Sequence, residues 1–335
     1  MTMKTLSLDE ARTLCERAAM AAGSSPKTAS SLAKAMVAAG ADGQASVGLA
    51  HFIDYLEDLR TGRIDGQAVP EITRLAPAIV TSDARGGAAH PGFDLAFDEL
   101  VSAATVCGVA IFSQKNSYTC GSLGYFTGRL AEAGFVSLAT TNGPPIVAGS
   151  GGTKAVYCTN PMSFAAPQAG GPPLLIDQSS SATAFVNVRK AAQDGQPIPA
   201  GWALDSEGNP TTDANEAMKG VLLAFGGARG ANIALMVEVL SAGLSGANWS
   251  VDAPPFGSGA EGPGTGMFVL AIDPRVFGPG FEERMHAQIE RLGGDYGVHI
   301  PGLAKAEARR KSAEQGISVP EEVYQRIAEW PGVSS

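Results

Sequence analysis

The sequence predicts an α/β fold in which helical ends bracket a β-rich middle. Three observations carry this. Apolar residues recur at helical spacing before about residue 60 and after about residue 280. Short apolar runs separated by Gly and Pro fill the region between. Those runs alternate with helical stretches, the pattern of a mixed α/β protein. No segment repeats along the chain.

Ser7-Leu-Asp-Glu10 reads as a capping box, with Ser7 covering a free N–H and Glu10 reaching back. The Ala-rich helix Ala11–Ala22 follows, and Gly23 ends it. Pro26 opens a second helix, which runs through Leu32, Met36 and Val37 toward Gly43. A third spans about Val47 to Leu59, with Phe52, Tyr55, Leu56 and Leu59 on one face. The middle holds strands at Ala78–Ser82, Val109–Ser113, Val136–Thr141, Met162–Ala166, Leu174–Asp177 and Gly220–Phe225. Helices are predicted at Phe93–Cys107 and Leu123–Ala133, and a buried one at Ile233–Leu244. Asp252–Gly266 is a loop, Gly266–Ile272 a strand, and helices follow at Phe281–Leu292, Gly302–Gln315 and Pro320–Trp330.

Composition limits the function. The chain has 335 residues, a net charge of −9, 44% hydrophobic and 17% charged residues, which excludes a disordered chain. An acidic chain with no Lys/Arg cluster is a poor partner for nucleic acid. No apolar run is long enough to span a bilayer, and no signal peptide is evident, so a cytoplasmic protein is expected. The four cysteines lack metal-type spacing and are expected to be reduced. With four histidines, a His-rich metal site is excluded by count.

The dinucleotide fingerprint Gly-x-Gly-x-x-Gly, a P-loop and a nucleophile elbow are all absent. What remains is a set of polar, Gly-containing loops that follow successive strands: Asn116-Ser117-Tyr118, Thr140-Thr-Asn-Gly-Pro-Pro145, Cys158-Thr-Asn-Pro161 and Asp177-Gln-Ser-Ser-Ser181. Each alone is an ordinary turn. Their recurrence favours one shared site with hydroxyls and backbone N–H groups suited to phosphate and ribose.

Taken in order, the motifs resemble the malate/L-lactate dehydrogenase family that lacks the Rossmann fingerprint. Its relatives include ureidoglycolate dehydrogenase, diketogulonate reductase, sulfolactate dehydrogenase and the Δ1-pyrroline-2-carboxylate/Δ1-piperideine-2-carboxylate reductases. The matching segments are Ala41-Asp-Gly43, Ser46-x-Gly48, Tyr55, Gly62-x-Ile64, Asn116-Ser117, Thr159-Asn-Pro161, Asp177-x-x-x-Ser181, Pro199-x-Gly-Trp-Ala-Leu-Asp205, Gly208-x-Pro-Thr-Thr-Asp213, Phe225-Gly-Gly-x-x-Gly230, Met236-Val-Glu238 and Pro301-Gly302. The resemblance implies a reductase of small 2-oxo or 2-imino acids that uses NADPH or NADH. It implies a non-Rossmann nicotinamide-nucleotide-binding domain with a mixed, largely antiparallel sheet over residues 77–282, and a helical lobe from residues 1–76 with 283–335. A homodimer is expected. By position, Ser117, Tyr118, Thr119, Thr141, Asn142, Thr159, Asn160, Asp177, Ser179, Ser180, Ser181 and Arg229 would line the cofactor.

The departures bear on the chemistry. Where the family has Ser-His-Gly, with His as the acid–base residue, this chain reads Ser46-Val47-Gly48. The Arg that usually holds the substrate carboxylate is His51, and the Asp that supports the His in the piperideine-carboxylate reductases aligns with Asn187. The Asn-His-Phe loop reads Tyr118-Thr119-Cys120, the Gly before Thr-Asn-Pro is Cys158, and the Lys after the Gly-Gly pair is Arg229. The family's Pro-Gly-Glu-Arg reads Pro301-Gly302-Leu303-Ala304.

Three readings follow. A protonated cyclic imine already carries its proton, so its reduction needs no general acid and tolerates Val47 best. Reduction of a 2-oxo acid needs a relocated donor. His51, one turn after Val47, and Tyr118 are the candidates, beside Ser46 and Asn187 as site residues. The third reading is a family member that binds ligand without turnover. His90, His286 and His299 are expected at the surface, and no metal is expected.

Overall fold

The structure, a computed structural model, describes residues 2–333, with the side chain of Ser46 outside that set. Strand β1 (Met3–Leu6) leads into α1 (Leu8–Ala21) and α2 (Pro26–Ala41). A 3-10 turn at Ala45–Val47 then delivers α3 (Leu49–Arg60). Next come β2 (Glu71–Ala76), β3 (Ile79–Asp83), α4 (Ala89–Cys107), β4 (Val109–Ser117), α5 (Gly124–Glu132) and β5 (Val136–Thr141). Short strands β6 (Val147–Ala148) and β7 (Ala155–Tyr157) precede β8 (Met162–Ala166) and β9 (Leu174–Gln178). They are followed by α6 (Phe185–Gln193), β10 (Ala203–Leu204), β11 (Pro210–Thr211), α7 (Ala214–Ala217), β12 (Val221–Leu222) and α8 (Ala228–Glu238). The chain closes with β13 (Thr265–Ile272), α9 (Phe281–Gly294), α10 (Leu303–Gln315), β14 (Ile317–Pro320) and α11 (Glu321–Ala328).

Local signals place the first helices. Ser7 Oγ accepts from the Glu10 N–H at 3.2 Å and Glu10 Oε2 accepts from the Ser7 N–H at 2.8 Å, completing the capping box. Pro26 sits in the first turn of α2, capped by Ser25. The apolar faces of α1, α2 and α3 then meet through Ala11, Cys15, Leu32, Met36, Phe52 and Leu56, all buried. Ile327 of α11 joins them, and β1 pairs antiparallel with β14, so the two chain ends build one lobe. The sequence pattern showed neither of those strands, because four residues carry too little periodicity.

The large sheet has the order β2-β3-β4-β13-β5-β8-β9, antiparallel throughout except for β3 and β4. This is the mixed, largely antiparallel architecture expected. Its core is formed by Phe93, Phe112, Phe126, Leu130 and Val269. A second sheet, β11-β10-β12-β6-β7, packs over α6 and α7 through Val147, Val188 and Leu222. Because β2 pairs with β3, residues 71–76, expected in the helical lobe, form part of the large sheet.

A further difference from expectation lies near residue 240. The apolar stretch Ile233–Leu244 is not a uniformly buried helix. It is the end of α8 followed by a π-helical turn at Val239–Gly243. Ala234, Val237 and Ala242 are buried, whereas Leu235, Met236, Val239 and Leu244 are about half exposed or more. An apolar run predicts burial only if protein covers every face. No helix among the described residues is long and apolar enough to cross a membrane.

Candidate active site

Antiparallel alternation gathers the polar loops. In the ladder, Ser117 at the end of β4 pairs with Thr265 at the start of β13, and Thr141 at the end of β5 pairs with Met267. Thr140 pairs with Met162 at the start of β8, which pairs with Gln178 at the end of β9. The loops after β4, β5 and β9, and the one before β8, therefore leave the same rim of the sheet.

Asp177 anchors one part of this rim. Its Oδ2 accepts from Ser122 Oγ at 2.9 Å and the Gly124 N–H at 3.0 Å, and Lys305 Nζ lies 3.6 Å away. The Gln44 side-chain amide lies 3.0 Å from the same hydroxyl, a contact that ties the rim to the turn that carries Val47. Ser122, Gln44 and Lys305 were not read from the sequence. Lys305 lies directly after the altered Pro301-Gly302-Leu303-Ala304 segment, and its charge was the available signal.

Several expected cofactor contacts spend their side chains inside the protein. Ser117 Oγ donates to the Thr265 carbonyl, and Thr141 Oγ1 donates to the Gly266 carbonyl at 2.7 Å. Asn142 donates to the Asn248 carbonyl and accepts the Gly266 N–H. Ser180 donates to the Thr159 carbonyl and Ser181 to the Thr183 carbonyl. These groups shape the rim. Thr119, Thr159 and Arg229 keep more capacity: Arg229 is exposed, whereas the Ser179 hydroxyl lies 2.9 Å from Ser181 Oγ.

Asn160 is fully buried at φ 37°. Its amide donates to the Ala234 carbonyl and to Glu238 Oε1 at 2.7 Å, while its Oδ1 lacks a partner. Glu238, also buried, accepts the N–H and hydroxyl of Ser250. It was noted in the sequence as part of a motif but not as a residue that holds the site. An orphaned buried acceptor beside strained backbone marks a place built for a ligand or an ordered water.

Tyr118 is buried, and its hydroxyl donates to Asp58, whose other oxygen accepts from Arg63 at 2.5 Å. Burial, and then the carboxylate, push the phenol above its ordinary range. Such a hydroxyl is committed to Asp58 rather than free to give up its proton. Its ring is edge-on to Tyr55 and Phe256. Tyr118 and Ser117 also wall a cavity of about 290 Å³ with Arg85, Asn116, Asn248 and Gly264.

His51 lies on α3 with its ring edge-on to Tyr55, centroids 5.2 Å apart, and Nδ1 3.0 Å from Asp54 Oδ2. The Tyr55 hydroxyl donates to the Thr119 carbonyl at 3.1 Å. His51 and Tyr118 thus both pack on Tyr55, at the rim. Asn187, on α6, donates to Thr183 at 3.1 Å and makes no side-chain hydrogen bond to the others among the described residues. The expectation for Ser46 falls on a side chain outside the described set.

His90 corrects the sequence reading. It is fully buried, not at the surface, stacked on Phe126 and edge-on to Tyr55 and Tyr125. The helix predicted from Phe93 starts at Ala89, which turns His90 inward in its first turn. Burial lowers its pKa to about 4, and neither ring nitrogen has a hydrogen-bond partner among the described residues. His286 and His299 are exposed, as expected.

The residues present suit a dinucleotide. Gly226 (φ 58°), Gly227 (φ 67°) and Ala228 begin α8 and, with Gly149–Gly152, Ala182 and Ala224, line a cavity of about 400 Å³. The free N–H groups of that first turn and the nearby Arg229 suit phosphate. Side chains are tolerated poorly along the rim. A Cβ on Gly143 would lie 3.1 Å from Cys158 Sγ, and one on Gly124 would lie 3.0 Å from Asp177 Oδ2. Among the described residues no His/Cys/Asp/Glu cluster could hold a metal.

Comparison with known proteins places this geometry. The chain is 37% identical over 327 residues to the (2R)-3-sulfolactate dehydrogenase (NADP(+)) of Chromohalobacter salexigens, covering 97% of each. It is 33% identical over 329 residues to the Δ1-pyrroline-2-carboxylate/Δ1-piperideine-2-carboxylate reductase of Pseudomonas aeruginosa, covering 97% of this chain and 98% of that one. The crystal structure of Δ1-piperideine-2-carboxylate reductase from Pseudomonas syringae superposes with a TM-score of 0.93 at 33% identity, covering 98% of this chain and 99% of that chain. The model of the malate/L-lactate dehydrogenase family matches residues 6–328, and to that family of oxidoreductases this chain belongs.

Proposed function

We propose that the protein is an NAD(P)H-dependent reductase of a small cyclic 2-imino acid of the Δ1-pyrroline-2-carboxylate or Δ1-piperideine-2-carboxylate type. The observation that carries this is the near full-length likeness, in sequence and in fold, to reductases of those two substrates. Val47 agrees with it. We read Val47 as standing where the family's Ser-His-Gly carries its acid–base His, and a valine gives no proton.

When bound, the nicotinamide supplies a hydride to the imine carbon. The chain supplies position and exclusion of water. The strand-end loops close around the reacting group through bonds they make to one another, such as Thr141 to Gly266 and Asn142 to Asn248. Asp177 holds the turn at Gln44 against the rim through Ser122, so the α3 side chains meet the loops from one side. A protonated imine becomes a neutral amine on hydride transfer, so no side chain has to deliver a proton at the reacting atom.

The test is a reductase screen of cyclic imino acids and 2-oxo acids with both cofactors. Cyclic imines should turn over about 100-fold faster than pyruvate or oxaloacetate, the scale of a missing general acid. Equal turnover removes the support. Val47→His should then raise kcat for 2-oxo acids about tenfold or more and leave imine turnover nearly unchanged.

A second reading, reduction of a 2-oxo acid with a relocated donor, is favoured by the 37% identity to a sulfolactate dehydrogenase. It requires His51 as the acid, so His51→Gln would then abolish most kcat on 2-oxo acids. A homodimer is part of the proposal: the half-exposed apolar face of Leu235, Met236, Val239, Trp249 and Val251 suits a second copy.

A further inference from the structure

Helix α10 is held by polar contacts. None of its residues is buried, so apolar packing does not fix it. A cavity of about 270 Å³, not a filled core, lies where Arg309 of α10 meets Asp42 of α2 and Glu132 of α5. Gly302 opens the helix against β9, where a Cβ would lie 2.9 Å from the Leu175 backbone nitrogen. One turn on, Lys305 Nζ lies 3.6 Å from Asp177 Oδ2. After a further turn, Arg309 Nε and Nη2 donate to Oδ1 and Oδ2 of Asp42 at 2.7 and 3.0 Å. That pair is bidentate, the geometry that adds direction to charge. Arg309 Nη1 also donates to Glu132 at 2.7 Å. Ser312 donates to the Ala41 carbonyl at 3.1 Å.

Asp42 is placed against its local electrostatics. It caps the C-terminus of α2, where the helix dipole presents negative charge. Its side chain is only 10% exposed. Its counterion comes from Arg309, at the far end of the chain. These contacts close a ring. Two residues after Asp42, the Gln44 amide meets Ser122, and Ser122 donates to Asp177. Lys305 and Arg309, four residues apart on one face of α10, lead from Asp177 back to Asp42. Glu132 stands outside the ring, as a branch from the same guanidinium.

We infer, on the reading that this rim reduces a cyclic imino acid, that Asp42 and Arg309 are positioning residues. Their pair fixes the turn that carries Val47 against the strand-end loops, and so sets how the imine carbon meets the hydride. The loops themselves are set by bonds within the sheet region, such as Thr141 to Gly266. The turn reaches them through side chains. Loss of the pair therefore shifts the start of α3 against the loops without undoing the loops. The effect falls on kcat, because a misplacement of about an ångström is costly in a transfer step. Cofactor affinity stays close to its original value.

The experiment uses the full-length protein with Δ1-pyrroline-2-carboxylate and NADPH. Asp42→Ala and Arg309→Met should each lower kcat about tenfold or more. The Kd for NADPH, read by fluorescence titration, should stay within about twofold. The double variant should lose no more than either single one. Glu132→Gln breaks the branch and leaves the ring, so kcat should stay within about twofold although an ion pair to the same guanidinium is lost. The ring is overturned as a positioning device if Glu132→Gln lowers kcat as much, if NADPH affinity falls in step with kcat, or if Asp42→Ala leaves kcat unchanged. A second readout needs no turnover. Amide hydrogen exchange over residues 43–49 should quicken about tenfold in Asp42→Ala and Arg309→Met and not in Glu132→Gln. Equal exchange in all three overturns the ring. If no cyclic imino acid is reduced at all, the proposed function fails, while exchange still decides whether the pair holds the turn.

Discussion

The imidazole of His90 is neutral in the folded protein because Phe126, Tyr55 and Tyr125 surround it and no partner solvates a charge. Its folded pKa of about 4 lies below the ordinary 6.5, so the unfolded chain binds a proton that the folded chain refuses. The contribution of this group is therefore fully present above about pH 6.5 and is lost as pH falls toward 4. At pH 5 this group alone costs about 2 kcal/mol. Urea unfolding at pH 7.5 and pH 5 checks this: His90→Leu should flatten the dependence, and an unchanged slope would assign the acid sensitivity elsewhere. Tyr118 gives a second prediction. Tyr118→Phe leaves a buried Asp58 carboxylate short of one donor and should destabilise by about 1–3 kcal/mol, read by thermal or urea unfolding. If its hydroxyl were the acid, activity would fall far more than stability.

Strand β13 shows how one element sets the site. It lies between β4 and β5 in the sheet and slips register between Thr265 and Met267. Gly266 sits at that slip, donating to Asn142 and accepting from Thr141. A Cβ there would overlap the Ser241 carbonyl of the π-helical turn. Gly266→Ala should thus separate β13 from that turn, displace Thr141 and Asn142, and weaken NADPH binding about tenfold or more with a fall in Tm. Fluorescence titration with NADPH measures it, and unaltered binding would show that the rim tolerates the shift. The π-helical turn itself was invisible in the sequence, because its apolar residues read equally well as a continuous α-helix.

At the scale of the molecule, the helical lobe meets the sheet where the strand-end loops converge. Tyr55 to Thr119, Gln44 to Ser122 and Tyr118 to Asp58 are among the bonds across that junction. The apolar face around Leu235, Met236 and Val239 lies apart from these bonds and is about half exposed. Replacing Leu235 and Met236 by Asp should convert the proposed dimer to monomer in sedimentation velocity. A wild-type protein that already sediments as a monomer would refute the dimer.

The sequence by itself determined the α/β class, most helix positions, the lack of a Rossmann fingerprint and the polar loops that the sheet gathers at one rim. These properties are local: caps, turns and periodicity are written within a few residues of one another. The family resemblance added the identity of those loops and the departures at Val47, His51 and Asn187. Only the tertiary structure decided that several expected cofactor side chains are spent on backbone carbonyls and that His90 is caged among aromatics. Each of these depends on which surfaces a neighbouring element covers, and for most of them the partners lie tens of residues apart. Burial and hydrogen-bond partnership are properties of the packed chain, so no window of sequence contains them.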